Sequence, residues 1–293
     1  MQKLSSLFFI GIMLIAALLQ GCNNGPATLK FNPGPGAKYK YIFTTHQVIE
    51  PEGLGASVTI NQDLTMEYSY LILPDSANYK RVKVTYDRIA IKSGNSMMSM
   101  EYDSNDSTKQ KDSVFRNMSQ FLNRSFTLTL NGNGEIVRSE NLQAITSAAD
   151  STMAAAGAQG FDPQVSDSSM RTMMLQTLNV YPSRPVKKGD SWKHTYNTSM
   201  GFMNMTFDNT YKLVSISDNI AHIEINSNIG ANKSKGGQME IRGLQTGDLD
   251  MDVTTGMVLG SKCNQEIKGS MQAFGKVIPL NVTSETHITE KEY

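Results

Sequence analysis

The chain has 293 residues, 27 basic and 27 acidic side chains, a formal net charge of +0, and 39% hydrophobic, 8% aromatic and 18% charged residues. This is a globular composition long enough for one large or two modest domains, and without clustered Lys and Arg it excludes a nucleic-acid footprint. Two cysteines cannot build a disulfide framework.

In chain order, the first element is an export signal. Lys3 supplies a positive start, and Leu7–Leu19 form an apolar core of 13 residues, short of the roughly 20 that span a bilayer as a helix. Leu19-Gln20-Gly21-Cys22 resembles a bacterial lipobox, which implies cleavage before Cys22 and lipidation of that residue. Two or more acyl chains, palmitate among them, hold a protein stably on a membrane. Asn23 and Asn24 follow, with no Asp; by resemblance to lipoprotein sorting rules this favours the outer membrane, with either face open. A Gly/Pro/Asn-rich stretch then reads as a tether as far as Pro35 and Gly36.

The body is predicted to be mainly β with a few helices. From Ile60 to Ile72, Ile60, Leu64, Met66, Tyr68, Tyr70 and Ile72 alternate with Asn61, Asp63, Thr65, Glu67 and Ser69, which places one face in a core and one in water. One-sided burial predicts long antiparallel strands in a curved sheet or half-barrel. Met203, Met205, Phe207, Tyr211 and Leu213 repeat the pattern, and the two stretches align without gaps at an offset of 141. Gly36–Lys40 corresponds to Gly189–Lys193, and the turn at Asn131–Gly134 to that at Asp252–Gly256. This predicts an internal duplication. Helices are expected between the repeats, at Asp112–Leu122, around Leu142–Ala149, and at Met170–Leu178. The division is a signal peptide at 1–21, a lipidated Cys22 and tether at 22–35, a first β repeat with a helical insert at 36–160, and a second β repeat at 161–293. The repeats form either one continuous domain or two.

Four motifs, Val84-Thr-Tyr-Asp-Arg88, Met100-Glu-Tyr-Asp103, Lys188-Gly-Asp-Ser-Trp192 and Asp252-Val-Thr-Thr-Gly256, resemble a family of bacterial envelope lipoproteins known only as a domain of unknown function, family 6263. The resemblance covers nearly the whole mature chain and implies a compartment and a fold type, with no known chemistry. The long sheet with helices is also similar to the half-barrels of lipoprotein carriers, an analogy of fold alone.

No catalytic motif emerges. Gly189-Asp-Ser191-Trp-Lys lacks the second Gly of a nucleophile elbow, and neither His-Glu-x-x-His nor a phosphate-binding Gly-x-x-x-x-Gly-Lys occurs. His46, His194, His222 and His287 are scattered. Asp248, Asp250 and Asp252 open like a calcium loop, but Val253 stands where Gly is required and Leu259 where Glu is required; a wet strand face is the simpler expectation. Met200, Met203 and Met205, with Met97, Met98 and Met100, have the soft thioethers that suit Cu(I). Met also fills irregular cores and pliable pockets, and Met203 and Met205 share parity with Phe207 and Tyr211. Cys263 is expected to be buried and inert, and Trp192 to pack as Tyr39 does.

The expectation is a lipid-anchored envelope protein without catalysis or cofactor. It binds a lipid, a peptide or an envelope protein, and touches the membrane through Cys22. A hydrolase of unfamiliar type and a Met-rich Cu(I) protein are the alternatives.

Overall fold

The computed structural model describes residues 25–52, 58–108, 122–141, 174, 178–200, 203–231, 241–273 and 276–291. The signal segment, Cys22 and the first two expected helices lie outside these residues, apart from Leu122. Of the third helix only Met174 and Leu178 are described, and both are buried.

Among the described residues twelve strands form one open, curved antiparallel sheet. They are β1 (Lys38–Pro51), β2 (Ile60–Ser76), β3 (Tyr79–Gly94), β4 (Ser99–Asp103), β5 (Ser125–Leu130), β6 (Ile136–Glu140), β7 (Ser191–Met200), β8 (Met203–Ser217), β9 (Ile220–Ala231), β10 (Arg242–Asp252), β11 (Val258–Ala273) and β12 (Lys276–Lys291). Their order is β6-β5-β3-β2-β1-β12-β11-β10-β9-β8-β7, with β4 paired to β3. The first and last strands therefore meet in the middle of the sheet, and among the described residues the outermost strands of this order, β6 and β7, come from mid-chain. β6 has only five residues and carries Arg138 and Glu140, features that discourage pairing with another chain.

The alternation holds along the strands. Tyr41 and Phe43 on β1, Met66, Tyr68, Tyr70 and Ile72 on β2, Val82 and Val84 on β3, Phe126, Leu128 and Leu130 on β5, Leu213 on β8, Ile223 on β9 and Leu249 on β10 point into one core. One irregularity shifts β3. Tyr68 pairs with Tyr86, yet Glu67 pairs with Arg88, so Asp87 is a bulged extra residue. The bulge turns Arg88 outward and lets both Tyr86 and Ile89 face the core.

One end of the sheet is plugged. Ala27 and Val186 form a two-way backbone bridge, Phe31 donates its amide N–H to Gly132 O, and Asn32 donates to Thr255 O. The Tyr181 hydroxyl donates to Gly256 O at 2.6 Å and the Trp192 indole to Val180 O at 2.9 Å. Residues 27–36 and 178–186 thus link the β5–β6 turn to the β10–β11 turn. Leu29 and Phe31, inside the stretch whose composition resembles a tether, are 1% exposed; their apolar side chains hold it in the plug. Phe31, Tyr41, Tyr70, Leu178, Tyr181, Met257 and Val258 close to a residual void of about water size.

The two halves share local detail. Gly36 precedes β1 with φ 85° and Gly189 precedes β7 with φ 90°. Their amides donate to Ile72 O and Leu213 O, and the amides of those two residues donate back to Ala37 O and Asp190 O.

The family-like motifs are joined by charge. Arg88 forks onto Asp103 at 3.1 and 2.7 Å and reaches Glu67 at 3.2 Å, and Lys40 reaches Glu67 at 3.1 Å. Partial burial pushes the Glu67 carboxyl up, but the hydrogen bonds from Lys40 and Arg88 outweigh it and hold the group below the usual glutamate range. A depressed carboxyl contributes stability that is present at neutral pH and lost as pH falls through its folded value. Arg88→Ala is therefore expected to cost about 1–2 kcal/mol at pH 7. The gap from wild type should narrow near pH 3, as the Glu67 carboxyl begins to take up its proton. Urea melts at the two pH values check this.

Candidate functional site: the layered inner face

Directly opposed residues of neighbouring antiparallel strands share a face, so the register can be followed across the sheet row by row. On the inner face one row reads His194 (β7), Asn209 (β8), Ser227 (β9), Gln245 (β10), Gln265 (β11), Ser284 (β12), Gln47 (β1), Gln62 (β2) and Ser93 (β3). Nine successive strands each place a polar, uncharged or imidazole side chain at this level. Asn209, Ser227, Gln245 and Ser93 are buried.

Rows on both sides are largely apolar. Toward the plug the next row is Trp192, Tyr211, Ile225, Gly247, Cys263, Thr286, Thr45, Leu64, Ile91 and Tyr102, where Thr286 and Thr45 are the polar exceptions. Away from the plug it is Tyr196, Phe207, Ile229, Gly243, Ile267, Val282, Ile49 and Ile60, with no polar side chain except the tyrosine hydroxyl. Tyr196, Met205, Phe207, Ile229 and Ile241 form an apolar cluster of their own, with Ile267 against it. The polar belt separates this second band from the main core. Ile49, Ile60 and Ile267 in the band are only half-buried.

The belt is partly a hydrogen-bonded ladder. Ser284 Oγ donates to Gln265 Oε1 at 3.1 Å, Gln265 Nε2 to Gln245 Oε1 at 2.6 Å, and Gln245 Nε2 to Ser227 Oγ at 3.3 Å. At one end, His194 Nε2 lies 2.6 Å from Tyr181 O, so the ring donates there. Asn209 Nδ2 donates to the Tyr211 hydroxyl at 3.1 Å, while its Oδ1 is buried without a partner among the described residues. Burial pushes the Tyr196 and Tyr211 hydroxyls well up, against a smaller opposing effect of Asn209, so both phenols stay neutral donors. Sequence reasoning missed the belt, because a row exists only once the registers of all strands are known.

The sequence-level candidates fall elsewhere. Asp248, Asp250 and Asp252 lie on β10 with separate partners. Asp250 Oδ1 meets His222 Nδ1 at 2.6 Å, and Asp252 Oδ1 caps the Thr255 amide at 2.7 Å. The raised pKa of Lys262 comes first from Glu285, with Asp248 a lesser neighbour. Among the described residues no three His, Cys, Asp or Glu gather as a metal site. Met200 and Met203 are register partners at the end of the β7–β8 pair, Met205 is packed beside Phe207, and Met97 and Met98 are exposed.

Three histidines pair with their own carboxylates, His46 with Asp63, His222 with Asp250 and His287 with Glu285. His222 has a second neighbour, since its Nε2 lies 3.2 Å from Ser217 Oγ. Ser217, His222 and Asp250 thus line up as a hydroxyl–imidazole–carboxylate chain across β8, β9 and β10. It stands on the exposed side of the sheet, where water competes for every hydrogen bond.

Cys263 is half-buried against the core rather than fully buried. Desolvation pushes its thiol up to about 11. At pH 8 its alkylation by iodoacetamide is expected to be at least ~100-fold slower in the native protein than in denaturant, because only about 1 in 1,000 thiols would be ionised.

Comparison with known proteins places these features in context. The model of a family of unknown function, DUF6263, matches residues 77–258, a span that contains all four motifs. No curated protein matches the chain. Lipovitellin is similar in structure, with a TM-score of 0.50 and 9% identity, over 88% of this chain and 25% of its own. The chain therefore spans about a quarter of lipovitellin's length, and the likeness is one of fold. DynF from the dynemicin biosynthesis pathway of Micromonospora chersina covers 91% of this chain and 86% of its own at a TM-score of 0.24 and 6% identity. An outer membrane channel of Pseudomonas putida F1 covers 91% and 99% at a TM-score of 0.21 and 6% identity. Both superpose too loosely to bear on the fold. The motif residues and the matched span together show that this chain belongs to DUF6263, a family of unknown function.

Proposed function

We propose that this is a lipid-anchored protein of the cell envelope, held at the outer membrane through Cys22, which carries an amphiphilic ligand on the inner face of its curved sheet. The observation that carries the reading is the second apolar band. A folded chain spends apolar area on its own core, yet this band is set apart from the core by nine polar side chains, and its β1, β2 and β11 members keep part of their surface accessible. Lipovitellin, a structure described for its lipid–protein interactions, supports a lipid as the ligand class. The matched glycines and reciprocal amide bonds before β1 and β7 support an origin by internal duplication.

Native mass spectrometry of protein purified without detergent tests the reading. The expected spectrum carries a stoichiometric lipid-sized adduct, absent from an Ile229→Asp variant that remains folded. Adduct-free spectra together with no uptake of added lipid would sink it.

A second reading, an envelope hydrolase, draws on Ser217, His222 and Asp250. Such a chain can activate a serine when it faces a substrate and an oxyanion site. A fluorophosphonate probe decides: adduct formation on Ser217 that His222→Ala abolishes supports the hydrolase, and an unlabelled Ser217 removes it.

A further inference from the structure

The belt has a chemistry of its own, and it narrows the ligand. Across nine strands it contains amides, hydroxyls and one imidazole, with no carboxylate, lysine or arginine. A charged headgroup placed at this level would shed water without meeting a counter-charge, which is costly. Amides and hydroxyls both donate and accept, so an uncharged hydroxyl, ester or amide would be well matched. A ladder that existed only to bind itself would close its own ends. Here the chain stops at Ser227, and the next belt residue across the β8–β9 pair, Asn209, is 3% exposed with its Oδ1 left without a partner among the described residues. A buried acceptor without a donor costs free energy, and an incoming O–H or N–H group would satisfy it.

We infer that the belt is a selectivity site for the neutral polar group of an amphiphile whose hydrocarbon lies along the second band. The inference rests on the interior-binding reading above and adds the class of headgroup. The hydroxyl or amide of the ligand donates to Asn209 Oδ1, and neighbouring belt side chains take its remaining hydrogen bonds. The plug closes the far end, so the hydrocarbon extends toward Ile229, Ile267 and Val282 rather than toward Tyr181.

Competition binding tests it, with N-phenyl-1-naphthylamine as a fluorescent reporter of the apolar band and monoolein and oleate as competitors. Wild-type protein is expected to bind the dye, with monoolein displacing it at about ten-fold lower concentration than oleate. Asn209→Leu and, separately, Gln47→Met are the variants. Gln47 takes no part in the Ser284-to-Ser227 chain, so its replacement is the milder change to the fold. Both should lose the preference for monoolein, read as the ratio of the two displacing concentrations at each variant's own dye affinity. Dye binding with no monoolein preference in wild type, or a preference untouched by both variants, overturns the headgroup inference and leaves interior binding standing. Absence of binding by the dye and by both competitors overturns the interior reading, and the headgroup inference with it.

Discussion

A chain ending at Ala273 is expected to lose the fold entirely. β12 follows that point, and it is the strand through which the two halves of the sheet join: it pairs with β11 from Gly260↔Thr289 to Ala273↔Lys276 and with β1 from Lys40↔Lys291 to Pro51↔Leu280. Its removal strips Ile278, Leu280, Val282 and Ile288 from buried positions. At roughly 1.5–3 kcal/mol per large apolar side chain this is about 6–12 kcal/mol, comparable with the whole stability of a typical domain at about 5–15 kcal/mol. It also leaves β1 and β11 as two long unpaired edges, which invites aggregation. Circular dichroism and size-exclusion chromatography check the result. A soluble truncated protein with an intact cooperative melt would show that the halves fold independently, contrary to the observed pairing.

The second large effect is at the plug. Gly256→Ala is expected to destabilise by about 3 kcal/mol or more. Gly256 has φ +71°, and a Cβ there would sit 1.9 Å from Lys30 O and 3.1 Å from the Tyr181 ring. Backbone strain alone costs about 1 kcal/mol or somewhat more. The rest comes from pushing Lys30 away and breaking the Tyr181 hydroxyl bond to Gly256 O. Gly36→Ala is the control: its φ is +85°, but a Cβ would meet nothing within 4 Å, so only the strain of about 1 kcal/mol applies. Chemical denaturation of both variants measures the difference. Equal losses would show that the plug contributes nothing beyond the turn conformation.

Much of the fold was legible in the chain because its strands are long and wet on one face. Ile60–Ile72 and Met203–Leu213 announce themselves by alternation, and both are strands within the observed β2 and β8. The turns at Asn131–Gly134 and Asp252–Gly256 were marked by glycine, and both glycines have positive φ. Parity failed at Asp87, because a bulge inserts one residue without any compositional mark, so Arg88 lands outside although strict alternation from Val84 would bury it. Leu29 and Phe31 were hidden by Gly/Pro/Asn-rich surroundings that resemble a linker, although their apolar side chains anchor the plug.

The candidate site was less legible than the fold. Each belt residue is unremarkable in its own strand: Gln47, Gln62 and Gln265 read as stray polar residues, and only the register sums them into a row. The same holds for Ser217, His222 and Asp250, whose adjacency depends on three strands pairing in one alignment. Of the candidates that sequence spacing brought forward, Asp250 and Asp252 take separate partners, whereas Met200 and Met203 are register partners and Met205 packs into the second apolar cluster.

Paramagnetic relaxation from a nitroxide-labelled neutral fatty ester, read on the methyl groups of the full chain, tests the central claim most directly. Broadening is expected at Ile49, Ile229, Ile267 and Val282 in the second band, with Val82, Val84 and Leu128 in the main core unaffected. Broadening confined to the exposed Val214, Ile216 and Leu244, or none at saturating ester, would contradict a ligand-carrying inner face.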